Sequence, residues 1–182
     1  LTLTGSMVSD NSATFDGGGI YNSGLLNLIN ATVDGNSAGP GFLGGGIFNI
    51  NAANLTNTTI SGNDSHFGGG FFNALGASTL INTTITGNLG VIGAGGIYSH
   101  GGTVDLTNSV VVGNQTFGTN AEVAGGPLTG SNNLTSGNAA DIFAAIDPLT
   151  AGGLLADNGG PVKTIALKAD ASNLALDAGT DP

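Results

Sequence analysis

Apolar positions recur along this chain in pairs set five residues apart: Leu3 and Val8, Leu28 and Val33, Leu55 and Ile60, Leu80 and Ile85, Leu106 and Val111. Each pair leads into a polar stretch that closes on asparagine, at Asn11, Asn36, Asn63, Asn88 and Asn114, with spacings of 25, 27, 25 and 26 residues. A third column follows each polar stretch. The segments GGGIYN (17–22), GGGIFN (44–49), GGGFFN (68–73) and AGGIYS (94–99) place Ile20, Ile47, Phe71 and Ile97 at intervals of 27, 24 and 26. Three columns with one period near 26 mark an internal repeat.

The residues of the repeat choose its geometry. Gly, Asn, Thr, Ser, Val and Ile favour turns and strands over helices, and the unit is shorter than helical repeats or a propeller blade. The pattern predicts an all-β, right-handed parallel β-helix, a β-solenoid of about 5–6 coils, each coil stacking on the next at about 4.8 Å. Five coils then rise about 24 Å at that spacing.

In such a stack equivalent positions superpose and every column becomes a ladder. Leu3, Leu28, Leu55, Leu80 and Leu106 form the interior ladder, each worth about 1.5–3 kcal/mol when fully buried. Tyr21, Phe48, Phe72 and Tyr98 form an aromatic column, with roughly 0.5–1.5 kcal/mol per stacked pair beyond area. Asn11, Asn36, Asn63, Asn88 and Asn114, and separately Asn22, Asn49 and Asn73 with Ser99 in the fourth place, pass amide hydrogen bonds between coils. Strict alternation would put the leucine and the Val or Ile five residues later on opposite faces. Both point inward only if the chain turns between them, at Asn30, Asn57, Asn82 and Asn108, since asparagine tolerates the left-handed conformation. This predicts three short strands per coil, with the glycine triplet as a positive-φ corner.

Composition narrows the partners. The 182 residues carry 34 glycines, no cysteine or tryptophan, and 12 acidic against 2 basic side chains, for a net charge of −10. That charge repels phosphate backbones and anionic lipid, so nucleic acid is not expected as a partner. No uncharged apolar run reaches the roughly 20 residues of a membrane span, so no membrane insertion is expected. The repeat fills 1–138, where GSNNLTSGN (130–138) is a last degenerate coil. Residues 139–182, with both lysines and three of the five prolines, form a C-terminal cap of the same domain, shielding the open edge of the last coil. Leu1 to Thr4 enter in mid-repeat. Further coils upstream, or end-to-end pairing with another copy, are therefore expected.

The stretch DPLTAGGLLADNGGPVKTIAL (147–167) followed by ALDAG (175–179) resembles the C-terminal part of the choice-of-anchor Q domain proteins, bacterial surface proteins related to polymorphic outer-membrane protein repeats. ASNLALDAG stands where that family usually has the proline-containing GSPAIDAG. The resemblance implies a parallel β-helix in a secreted or cell-surface chain, without assigned catalytic activity. It suggests an adhesin or structural module meeting surface glycans or receptors.

The competing class is a polysaccharide-acting hydrolase on a pectin-lyase-like fold. Lyase chemistry wants a strong cation or base, and the only cations, Lys163 and Lys168, lie in the cap. A glycosidase needs two carboxyls about 5–9.5 Å apart, and Asp10 and Asp34 fall on adjacent coils, with Asp64 offset from them. His66 and His100, beside glycine clusters in nonadjacent coils, read as turn residues. No cofactor is expected. The alternative is calcium, through Asp10, Asn11 and Asp16 or through Asp157 and Asn158, although the repeated GGxGxD nonapeptide is absent. Asn-x-Thr matches at Asn30, Asn54, Asn57, Asn82, Asn114 and Asn133 are what an asparagine ladder beside strand threonines produces. The column Thr32, Thr59 and Thr84 is too narrow for an ice-binding face, being interrupted by Met7 and Val110.

Overall fold

A computed structural model describes residues 1–117 and 119–175. The chain is a right-handed parallel β-solenoid. The first coil is β1 (Thr2–Thr4), β2 (Met7–Ser9), β3 (Ser12–Ala13) and β4 (Ile20–Asn22). The second is β5 (Leu25–Ile29), β6 (Thr32–Asp34), β7 (Ser37–Ala38) and β8 (Ile47–Asn49). The third is β9 (Ala52–Thr56), β10 (Thr59–Ser61), β11 (Asp64–Ser65) and β12 (Phe71–Asn73). The fourth is β13 (Ala77–Ile81), β14 (Thr84–Thr86), β15 (Leu89–Gly90) and β16 (Ile97–Ser99). The fifth holds β17 (Thr103–Thr107), β18 (Val110–Val111), β19 (Gln115–Thr116), β20 (Thr119–Asn120) and β21 (Val123–Gly125), and β22 (Leu128–Ser131) opens a sixth. Equivalent strands stack in parallel into four sheets, called A to D in the order the chain visits them.

The register is that of the sequence columns. Leu28 pairs with Leu3 and Leu55, Leu80 with Leu55 and Leu106, and from Leu28 to Leu106 the ladder is at most 1% exposed. With Val33, Ile60, Ile85, Val111, Ile47, Phe71 and Ile97 it forms one continuous core. The turn that brings leucine and Val or Ile to the same side is present: Asn30, Asn57, Asn82 and Asn108 all have φ between 49° and 51°.

Each coil has four strands rather than three. The extra one is the two-residue strand after the ladder asparagine, where Gly35, Gly62, Gly87 and Gly113 (φ 61° to 79°) make a second corner and redirect the chain for two residues before the glycine triplet. Within the triplet only the first glycine has positive φ, as at Gly17, Gly44 and Gly68. The second meets a backbone: a Cβ on Gly45 would sit 2.2 Å from the Asp64 carbonyl oxygen, and one on Gly69 would sit 2.3 Å from that of Leu89. The triplet therefore makes one bend and one close approach of sheet C to sheet D.

The repeat continues past the fading of its motif. Val123 pairs with Ile97, Asn132 takes the left-handed turn at φ 58°, and Leu134 bridges Val110 in parallel. Beyond this, the closing segment takes a course different from the expected one. Its single-turn helix α1 (Ala139–Ile142) and Phe143 pack on Val112, with Val110, Leu134, Ile146, Ile165 and Leu167 around them. The segment then climbs along the outer face of sheet B as a hairpin, β23 (Leu155–Ala156) and β24 (Thr164–Ile165). The Gly153 amide donates to Thr86 Oγ1 (3.1 Å), and Thr32 Oγ1 donates to the Lys163 carbonyl (2.7 Å). This strap lies along the flank because Val110 and Val112 replace the outward Thr, Asp and Ser of earlier coils and give it an apolar footing. The family-like Asp177 to Gly179 fall outside the described residues.

Candidate functional site

Two places gather side chains that sequence analysis singled out. The first is the flank under the strap. Asp34 pairs with Ser9 and Ser61 across sheet B, the Asp10 amide donates to the Asp34 carbonyl (3.0 Å), and Ser61 Oγ donates to Asp34 Oδ1 (2.6 Å). Burial pushes the Asp34 carboxyl above its usual range and the Asp10 charge adds to the rise, while the Ser61 hydroxyl and Lys163 oppose it. Asp10 and Asp34 thus lie on adjacent rungs, two and one residues after the Val column respectively, close enough for the Asp10 charge to act on Asp34. Asp64 stands on sheet C, paired with Ser37 and Leu89. The strap covers this flank. Thr32 and Ser61, outward residues of sheet B, are 0% and 4% exposed, whereas Asp10 stays exposed, and a cleft of about 420 Å³ remains between Gly5 and Met7 and the strap residues Asp157, Pro161 and Lys163.

The residues considered for calcium make the following hydrogen bonds. Asn11 Nδ2 donates to Asn36 Oδ1, Asp16 Oδ1 accepts from the Leu43 amide (2.9 Å), Asp157 Oδ1 accepts from the Gly159 amide, and Asn158 Nδ2 donates to Thr164. No three His, Asp or Glu side chains converge as a metal-holding group among the described residues.

The second place is the outer face of sheet D. Strand alternation turns Ile47, Phe71 and Ile97 inward, leaving Phe48, Phe72 and Tyr98 outward. Tyr21, Phe48, Phe72 and Tyr98 stack with centroids 5.2, 5.4 and 5.4 Å apart and interplanar angles of 26°, 18° and 8°. Beside them runs an apolar groove of about 340 Å³ lined by Leu43, Phe48, Phe67, Phe72, Tyr98 and His100, with Ala74. Phe67 stands edge-on to Tyr98 (5.1 Å, 69°), and the His100 ring lies 6.4 Å from Phe72. His66 packs edge-on against Phe67 (5.2 Å). The two histidines belong to successive coils, because the D–A corner that holds His100 closes the coil after the one containing His66. Leu43 and Phe67 were not among the expected residues. Their signal is an apolar side chain immediately before the triplet, where the first coil has Asp16 and the fourth has Gly93.

Between these faces runs the asparagine ladder. Asn36 Oδ1 accepts both the Asn11 amide and its Nδ2 (3.0 and 2.9 Å), and Asn63, Asn88 and Asn114 repeat the relation. The relay ends on Glu122, whose carboxylate accepts from the amides of Gly113 and Asn114 and from Asn114 Nδ2 (2.9, 3.0 and 2.8 Å). Burial raises the Glu122 carboxyl above its ordinary range, and those three hydrogen bonds hold the rise down. Asn114, one of the Asn-x-Thr matches, is 0% exposed. Asn30, Asn57 and Asn82 instead form an outer ladder at the A–B corner.

No family model, curated protein or solved structure matches the chain. Among the described residues no helix is long and apolar enough to cross a membrane.

Proposed function

We propose that this chain is a non-catalytic structural and adhesive module of a secreted or cell-surface bacterial protein, acting through stiffness and an exposed side rather than through bond chemistry. The observation that carries this reading is where its polar groups go. Every buried side-chain nitrogen or oxygen among the described residues has a hydrogen-bond partner, and the asparagines that fill the coil corners bond to one another. Groups committed to ladders are rigid and unavailable to a substrate. The resemblance of residues 147–167 to choice-of-anchor Q domain proteins supports the exported setting.

The alternative, a polysaccharide hydrolase, rests on the Asp10 and Asp34 pair. Incubation of the chain with panels of acidic and neutral glycans, read by new reducing ends, separates the two. No release of reducing ends is expected. Cleavage by the parent chain that disappears in Asp34→Asn overturns the module reading.

A further inference from the structure

The turn of the strap hairpin, between β23 and β24, holds the chain's single Asn-Gly step, Asn158–Gly159. An asparagine side chain can close on the backbone of the next residue: that residue's amide nitrogen attacks Cγ and forms a succinimide ring. Glycine, which has no Cβ, leaves the nitrogen its least hindered approach.

In the stack the fold restrains both partners of this reaction. Asn11, Asn22 and Asn36 precede serine, a small residue, but their carboxamides are tied into the ladders. The nitrogens that would attack are tied as well. The amides of Ser37, Asp64, Leu89 and Gln115, which follow the ladder asparagines, each donate to the carbonyl of the previous ladder asparagine at 2.8–2.9 Å.

Asn158 stands outside that framework. Asp157, Asn158, Gly159 and Gly160 are all exposed, and a Cβ built on Gly159 would meet no atom within 4 Å. The Gly159 amide donates to Asp157 Oδ1 (3.0 Å). The nitrogen that attacks thus already has its proton on a carboxylate oxygen, which is the placement of a general base. Asn158 Nδ2, the leaving group, donates to the Thr164 carbonyl and to Thr164 Oγ1, both at 3.1 Å. These two bonds tie the turn to the first residue of β24, where Thr164 pairs with Ala156.

We infer that Asn158 is a self-modification site whose conversion unties the strap hairpin. The Gly159 nitrogen bonds to Asn158 Cγ as its proton passes to Asp157, the Cγ–Nδ2 bond breaks, and the leaving nitrogen takes up a proton and departs as ammonia. Water then opens the succinimide to aspartate or isoaspartate. The new carboxylate has no N–H to donate, so both bonds to Thr164 are lost and an acceptor is left facing the Thr164 carbonyl. Lys163, whose carbonyl accepts from Thr32 Oγ1, adjoins Thr164, so the loosening begins beside one of the strap's polar attachments to sheet B. The hold of the strap then declines with the age of the molecule, whatever partner its exposed side meets.

The test incubates the folded chain in warm neutral buffer and follows each asparagine by peptide mass spectrometry, which detects both conversion and isoaspartate. Asn158 is expected to convert at least fivefold faster than any other asparagine. Gly159→Ala, which has room for its methyl group but crowds the attacking nitrogen, is expected to slow that conversion at least fivefold. Asp157→Asn, which keeps the acceptor and removes the base, is expected to slow it at least threefold. Hydrogen exchange reads the structural consequence: β23 and β24 lose protection in the converted chain and in Asn158→Asp, while Leu55 and Leu80 keep theirs. Another asparagine converting first, or an unslowed Gly159→Ala protein, overturns the site. An unslowed Asp157→Asn protein overturns the role of Asp157, and full protection of the hairpin after conversion overturns the untying.

Discussion

Asn63 of the stack and Phe143 of the strap are both buried, at 1% exposed each, yet they are held in different ways. Asn63 accepts from Asn36, donates to Asn88, and donates to the carbonyls of Val33 and Ser61, so four segments of two neighbouring coils and its own depend on it. Phe143 packs in a small cluster whose only fully buried member from the stack is Val112. Farther along, the strap is tied by single hydrogen bonds at Thr86 and Thr32. The repeated region is cross-linked at every rung, whereas the strap is attached at one apolar footing and a few polar points. Local openings are therefore drawn from the strap, at a free energy below that of global unfolding.

That difference can be broken from the stack side. Asn63→Leu leaves several buried donors and acceptors unpaired, each costing about 1–3 kcal/mol, and is expected to destabilise by more than about 4 kcal/mol in urea unfolding. A loss below about 1 kcal/mol would mean the ladder is not a principal support. Leu55→Ala is expected to cost about 2–5 kcal/mol through lost burial and a cavity, with the unfolding midpoint falling accordingly. If the midpoint stays put, the leucine column is not the core.

From the strap side, Phe143→Ala is expected to move the main unfolding transition by less than about 1 kcal/mol. At the same time it should abolish hydrogen-exchange protection at Gly153 and Lys168 while leaving Leu55 and Leu80 protected. Simultaneous loss in both groups would make stack and strap one cooperative unit.

The smallest effect joins the two regions through pH. Asp34 under the strap and Glu122 at the end of the ladder both have raised carboxyl values, burial being the first cause in each. Such a group binds its proton more tightly folded than unfolded, so its stabilising share is complete below the unfolded values of 3.8 and 4.5. That share is lost as pH rises through the raised folded values. Stability is thus expected to fall on going from about pH 4 to neutrality, by about 1 kcal/mol or less per group after solvent screening. Asp34→Asn with Glu122→Gln should flatten that slope, and an unchanged slope in the double variant would assign it to the overall negative charge instead.

The stack was legible in the sequence because a ladder repeats its own information: Leu28 predicts Leu55, and Asn57 shows the same left-handed turn as Asn82. The fourth strand escaped because two residues are too few to show alternation, and the close-approach role of Gly45 and Gly69 depends on what the next sheet brings. Glu122 was not legible either. It replaces an asparagine of the column through a hairpin, β19 and β20, so it falls eight residues after Asn114 instead of about one period. The strap's course depends on outward Val110 and Val112, which in one dimension look like further core valines. On sheet D the aromatic column could be read directly, but the groove beside it could not, since Leu43 and Phe67 hold the position before the triplet in only two coils, where the first and fourth have Asp16 and Gly93.

Because each asparagine presents to its neighbour the same oxygen that it borrows from the next, a whole rung can be duplicated or deleted without changing the kind of bond on either side. Glu122 is different, as its carboxylate accepts and has no N–H to hand on. The interior relay therefore has a full stop written in one residue.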